Sequence, residues 1–143
     1  MTTAASLIDT LDLAPHPEGG WYRETWRDPA SGAGRGHGTA IYYLLEQGQR
    51  SHWHQVDAVE IWHHYAGAPL TLEVYRDGEA VQVATLGPDV LAGQLPQAIV
   101  PARAWQSAHA AEGWTLVGCT VSPAFEFTGF TLAPAGWRPP VDG

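Results

Sequence analysis

Short runs of apolar, β-branched and aromatic residues recur along the whole chain, and each is closed by glycine, proline or aspartate. This rhythm constrains the fold more than any other feature. WYRETWR (21–27) alternates large aromatic and polar residues, as a half-buried strand does, and TAIYYLL (39–45) reads as a buried strand. SHWHQ (51–55) and EIWHHYAG (60–67) follow, joined by a short turn at Val56–Val59. LTLEVYR and AVQVATL flank Asp77-Gly78, the two-residue turn of a hairpin. AIV before Pro101, WQSA (105–108), WTLVGCTVS (114–122) and FTGFTLA supply the rest. The 16 glycines and 11 prolines suit that many turns. The sum is roughly eight to ten short strands, which predicts an all-β sandwich or barrel. One short helix is expected over residues 3–12, with Leu7, Ile8 and Leu11 on one face and Pro15 and Pro17 behind it. With 143 residues, the chain reads as a single domain over 1–143.

Charge removes several classes of function. The net charge is −8, and every fixed cation is an arginine, since the chain has no lysine. No basic run exists to hold a nucleic-acid backbone, so no nucleic-acid partner is expected, and an anionic membrane surface is disfavoured for the same reason. No apolar run is long enough to span a bilayer. MTTAASLIDTLDL lacks the basic start of a signal peptide, and the single cysteine, Cys119, fits a reducing compartment. A cytoplasmic protein is the expectation. Cys119 lies in the apolar run WTLVGCTV and reads as a buried, inert thiol. DPASGAGRGHG (28–38) lacks the Lys-Ser/Thr ending of a phosphate loop and reads as a plain connection.

The chemistry concentrates between Gly48 and Gly67, in GQRSHWHQVDAVEIWHHYAG. Four of the seven histidines, His52, His54, His63 and His64, stand there with Glu60. Adjacent strands can aim imidazole and carboxylate groups into one cavity, where they suit a divalent metal or proton transfer.

The same segment carries a resemblance. Gly48, then His-x-His at His52 and His54, then Glu60, six residues and Gly67 resemble the first motif of the cupin superfamily, the double-stranded β-helix or jelly-roll barrels. Pro101-Ala102-Arg103-Ala104-Trp105-Gln106 is similar to the second, which usually runs Pro-x-Gly-x-x-His. HPEGGWYRETWR (16–27), EIWHHYAGAPLTL (60–72), GQLPQAIVPARAWQSA (93–108) and TLVGCTVSPAFEFTGFTLA (115–133) resemble, in order, the blocks of the cupin-5 branch. That branch largely lacks an assigned reaction. Its members resemble dTDP-sugar 3,5-epimerases in fold, and the resemblance implies a homodimer. A swapped N-terminal strand, residues 21–27, is one way to form it, because an edge strand wants a partner.

The departures from the pattern matter. Gln106 stands in place of histidine, Arg103 in place of glycine, and Val59 precedes Glu60. If the backbone at Arg103 needs a positive φ, the side chain costs about 1 kcal/mol or more and reshapes the turn. Five residues separate His54 from Glu60, more than the family motif has. Two registers are therefore open. One gives a metal set of His52, His54, Glu60 and Gln106, open to Ni, Mn, Fe or Zn. The other counts back from Glu60 by the family spacing, makes His54 the first histidine and Val56 the second, and breaks the metal site.

The leading expectation is a small polar, sugar-derived ligand in the barrel and an isomerase or epimerase. His54 takes a proton alpha to a carbonyl, Glu60 orients its ring, and Tyr43 or Tyr65 reprotonates from the other side. Arg23, Glu24, Trp62 and Gln106 hold the substrate, and Trp105 and Trp21 are further candidates for stacking. A metal-dependent dioxygenase or lyase and a non-catalytic ligand-binding dimer are the alternatives. His63 and His64 read as packing or rim residues, and His37 and His109 as loop residues.

Overall fold

A computed structural model describes residues 1–30 and 34–140. Residues 31–33 of the expected Gly-rich connection and 141–143 of the expected domain lie outside the described residues. Helix α1 spans Ala4–Thr10. Eleven strands follow among the described residues: β1 Ala14–Pro15, β2 Trp21–Arg27, β3 Thr39–Leu45, β4 Arg50–Val56, β5 Val59–Gly67, β6 Leu70–Tyr75, β7 Gln82–Leu86, β8 Gln97–Val100, β9 Trp105–His109, β10 Thr115–Ser122 and β11 Phe130–Leu132. They form two antiparallel sheets, ordered β1-β2-β3-β10-β5-β8 and β11-β4-β9-β6-β7. The expected all-β jelly roll with a short N-terminal helix is what the chain adopts.

Thr3 starts α1 with a capping box. Its hydroxyl accepts from the Ser6 N–H at 3.1 Å, and the Ser6 hydroxyl accepts from the Thr3 N–H at 3.0 Å. Leu7, Ile8 and Leu11 pack on Leu13, Leu44 and Leu116, on the outer side of the larger sheet. Between the sheets, Leu45, Leu70, Leu72, Leu86, Val100 and Val117 are all 1% exposed or less. Burying a side chain of this size contributes about 1.5–3 kcal/mol each. No helix among the described residues is long and apolar enough to cross a membrane.

Strict alternation fails at three bulges, and these decide which side chains meet. Against β9, Ser51 pairs with Ala108 and His54 with Gln106, so β4 uses three steps where β9 uses two. The extra residue shifts the phase: Ser51 and His54 face the interior, and His52 turns outward. In β5, the register shifts opposite Leu116/Val117, next to Tyr65. In β2 it shifts between Glu24 and Trp26. Along β2, β1 pairs only with Trp21 and Tyr22.

The turn before β9 keeps the conformation that favours glycine. Arg103 sits at φ 67, its N–H donates to the Val56 carbonyl at 2.7 Å, and Ala104 donates to Pro101 at 3.2 Å. The expected reshaping does not occur. The turn is retained, and arginine carries the left-handed strain.

Candidate functional site

A cavity of about 400 Å³ opens between the sheets at the end where β3 begins and β10 finishes. Ile41, Val56 and Val121 line its sides, together with Phe125, Phe127 and Phe130. Its deep polar groups come from two places: the strands, which supply His54 and Glu60, and the loop between β1 and β2, which supplies His16 and Glu18.

That loop, HPEGG (16–20), is folded against β4. The His52 N–H donates to the Glu18 carbonyl at 2.8 Å, and the His16 N–H to Gly20 at 2.9 Å. Gly19 has φ +109, and a Cβ there would meet the Arg50 carbonyl at 2.5 Å. Only glycine allows the two backbones to approach so closely. The approach carries the Glu18 carboxyl to the buried Ser51 hydroxyl, which donates to it, while the Tyr43 hydroxyl donates to the Gly19 carbonyl.

The His54 ring is fixed at one nitrogen. Its Nδ1 lies 2.8 Å from the His52 carbonyl, which can only accept, so Nδ1 carries the proton in the neutral ring. Nε2 then presents a lone pair, with Glu18 Oε2 at 3.6 Å, beyond hydrogen-bond reach. Burial pushes the His54 pKa below that of a free imidazole, against the opposing pull of Glu60. His16 is held down to about 4 by burial and by the nearby His54. Its Nδ1 accepts the Glu18 backbone N–H at 3.1 Å. The 3.3 Å approach of that nitrogen to the Glu18 carboxyl is therefore not an ion pair at neutral pH.

Both glutamates are pushed the other way. Burial raises Glu18 to about 8, opposed by the Ser51 hydrogen bond. It raises Glu60 to about 7, opposed by His54. Near neutral pH this arrangement favours a protonated Glu18, a Glu60 held well above the usual carboxylate range and a neutral His54.

Gln106 is bound up in a chain beneath the cavity. Trp62 Nε1–H donates to Gln106 Oε1 at 2.8 Å, and Gln106 Nε2 donates to Glu60 Oε1 at 2.8 Å. Indole can only donate, so the amide oxygen must face Trp62 and the amide N–H₂ must face Glu60. Gln106 thus offers no lone pair toward Glu60. Trp62, 1% exposed, is a core residue and not a stacking platform on the cavity wall.

Other expected site residues are dispersed. His52 lies in a groove on the outer face with Arg50, Trp53 and Trp137, its Nε2 3.0 Å from the Pro134 carbonyl. Tyr65 is 54% exposed and stacks on His63 outside the larger sheet, where the β5 bulge puts it. Tyr43 is buried behind the cavity wall with its hydroxyl on Gly19. Glu24 lines the mouth, but Arg27 clamps its carboxylate with two bonds of 2.8 Å. Arg23 borders the mouth, its guanidinium 5.5 Å from the Tyr42 ring centroid. Trp105 packs on Trp137, and Trp21 lies under α1. Of the expected catalytic residues, the structure puts His54 and Glu60 on the cavity and Tyr43 directly behind it against His16 and Glu18, leaves Tyr65 outside, and adds His16, Glu18 and Ser51.

The inward-facing positions of the motif are thus His54, Val56, Glu60 and Gln106, which is the second register. These four motif positions offer a metal one imidazole and one carboxylate, with valine in the third place and an amide N–H₂ directed at Glu60 in the fourth. Among the described residues no group of three or more His, Cys, Asp and Glu side chains converges as a metal site. The donor set does not fit the metal that the cupin pattern implies.

The family described as Cupin superfamily (DUF985) matches residues 5–133. The chain belongs to that family. It is similar to a protein of Shewanella oneidensis of known crystal structure, with 38% identity and a TM-score of 0.88 over 93% of this chain and 85% of that one. It is also similar to a hypothetical protein from Leishmania major, with 32% identity and a TM-score of 0.83 over 90% of this chain and 86% of that one. The oxalate decarboxylase of Lactobacillus farciminis is a more distant likeness, with 16% identity and a TM-score of 0.63 over 84% of this chain and 33% of that one. This last likeness is one of fold alone. No curated protein matches the chain.

Proposed function

We propose that the cavity binds a small polar molecule and shifts a proton on a carbon next to its carbonyl group, making the protein an isomerase that works without a metal. The observation that carries this reading is the His54 Nε2 lone pair, held beside the Glu18 carboxyl in an enclosed cavity, with the opposite ring nitrogen fixed on the His52 carbonyl. His54 takes the proton from carbon. Glu18, protonated at neutral pH, donates to the carbonyl oxygen as it becomes an enol. Where the α-carbon carries a hydroxyl, the enol is an enediol: the imidazolium returns its proton to the former carbonyl carbon, and the α-hydroxyl becomes the new carbonyl as its proton passes back to Glu18. Glu60 stabilises the transient imidazolium.

Epimerisation through two opposed acids has less support, because neither Tyr43 nor Tyr65 lines the cavity. Bacillus subtilis oxalate decarboxylase, which shares the fold, has Mn(II) centres. The His54, Val56, Glu60 and Gln106 set gives no ground for a metal step here.

The test is deuterium incorporation. The protein is incubated in D₂O with a panel of small carbonyl compounds, and loss of the α-proton signal is followed by NMR. The reading expects at least one compound to exchange, with the rate falling about 100-fold or more in His54→Ala. Exchange that survives unchanged in His54→Ala contradicts the role of His54.

A further inference from the structure

The cavity has a charge imbalance that narrows its ligand. Four acidic residues line it, Asp12, Glu18, Glu24 and Glu60, against one fixed cation, Arg23. Arg27 already neutralises Glu24, and the Arg23 guanidinium is drawn toward the Tyr42 ring. No arginine meets the deep pair. Glu18 and Glu60 are 9% and 7% exposed and have no cationic side chain bonded to them among the described residues. An isolated carboxylate is expensive to bury, and its cost falls when a positive charge arrives. A phosphate or carboxylate ligand would instead place its charge against these groups with no partner.

Two further observations point to an occupant. The His54 side chain is 2% exposed, yet Nε2 has no hydrogen bond and faces the cavity. The walls above it are aromatic: Phe125, Phe127 and Phe130 pack edge to face with centroids 5.0–5.9 Å apart. Aromatic faces around a charge attract a cation and repel an anion. The net charge of −8 steers in the same direction.

We infer that the ligand is an organic cation, an ammonium compound whose charge is met by Glu60 and by the phenylalanine walls. This rests on the cavity being the ligand site, as proposed above, and it specifies the substrate class as a carbonyl compound bearing an amine. It turns the search away from sugar nucleotides, whose phosphates carry the wrong sign.

The experiment is calorimetric titration at pH 8 with three probes of one shape: benzylamine, benzyl alcohol and benzoate. The expected result is that benzylamine binds about tenfold or more tighter than benzyl alcohol, with benzoate weakest. Glu60→Gln should erase the preference for the amine while leaving the alcohol unaffected, since glutamine can still accept the Gln106 N–H. If Glu60→Gln does not fold, Phe127→Ala on the exposed part of the wall should weaken the amine more than the alcohol. Equal binding of amine and alcohol, stronger binding of benzoate, or no binding of any probe overturns the inference. The outcome is separable from the proton-shift reading. Exchange of a neutral carbonyl compound without amine preference sinks only the cation, and amine preference without exchange sinks only the chemistry.

Discussion

The space between the two sheets is solid at one end and hollow at the other, and the same strands build both ends. β3 lines the cavity with Thr39 and Ile41, then enters the core with Tyr43 and Leu45. β10 runs the opposite way, from Val117 and Cys119 in the core to Val121 on the cavity. The solid end packs leucine, valine and alanine around Tyr43 and Trp62, which supplies stability. The hollow end holds two histidines and two glutamates with shifted proton affinities, each a cost to the fold. The Trp62–Gln106–Glu60 chain marks the boundary. It satisfies the buried glutamate from below and leaves its other side to the cavity. The contrast shows that a polar cavity in this fold is held open by packing elsewhere.

The hollow end should break most sharply at Gly19. A Cβ there has no room against the Arg50 carbonyl, and φ +109 disfavours any side chain. Gly19→Ala should cost on the order of 4 kcal/mol and displace Glu18 from the cavity. Chemical denaturation and the pH titration of Glu18 would both register it.

Next in size is the pH dependence of stability. Glu18 and Glu60 rise from 4.5 to about 8 and about 7, so the folded state holds protons that the unfolded state releases. Their contribution is complete below pH 4.5 and is lost as pH rises through the folded values. His16, lowered from 6.5 to about 4, works the other way, and its contribution is lost as pH falls below 6.5. Above pH 6.5 the glutamates dominate, and stability should fall by about 2 kcal/mol between pH 6.5 and 8. Glu18→Gln should flatten that slope in thermal melts. An unchanged slope would mean that Glu18 titrates normally.

Smaller still is the boundary itself. Trp62→Phe keeps most of the apolar bulk but leaves Gln106 Oε1 without its donor, which should cost about 1.5 kcal/mol. The same change should shift the Glu60 titration, because the amide is freed to turn. The smallest effect is expected at Arg103, which lies outside both ends. Arg103→Gly should stabilise the fold by up to about 1 kcal/mol by removing the left-handed strain at φ 67.

Much of the fold was legible because strands announce themselves locally. WYRETWR and TAIYYLL became β2 and β3 at their expected limits. Asp77-Gly78 turns between β6 and β7, but strand pairing stops at Val74 and Gln82, so the connection is longer than the expected two residues. The site was less legible, because it depends on phase and on a loop. Alternation puts His52 and His54 on one face, and the β4 bulge undoes this. A bulge follows from pairing with β9, which no local pattern in SHWHQ reveals. Glu18 and His16 were hidden in a stretch that reads as a tight loop. The signal was the double glycine after Glu18, which marks a close backbone approach and so a loop pressed against a strand. Tyr65 misled because an aromatic hydroxyl near histidines suits catalysis as well as it suits the outer face of a sheet.

This cavity stores protons on buried carboxyls beside a neutral imidazole. The most direct test of this is a ¹³C NMR titration of the glutamate side-chain carboxyls in the folded protein, with Glu18→Gln and Glu60→Gln for assignment. Two resonances are expected with midpoints near 8 and near 7, each lost in one variant. Two midpoints close to the ordinary glutamate value of 4.5 would contradict it.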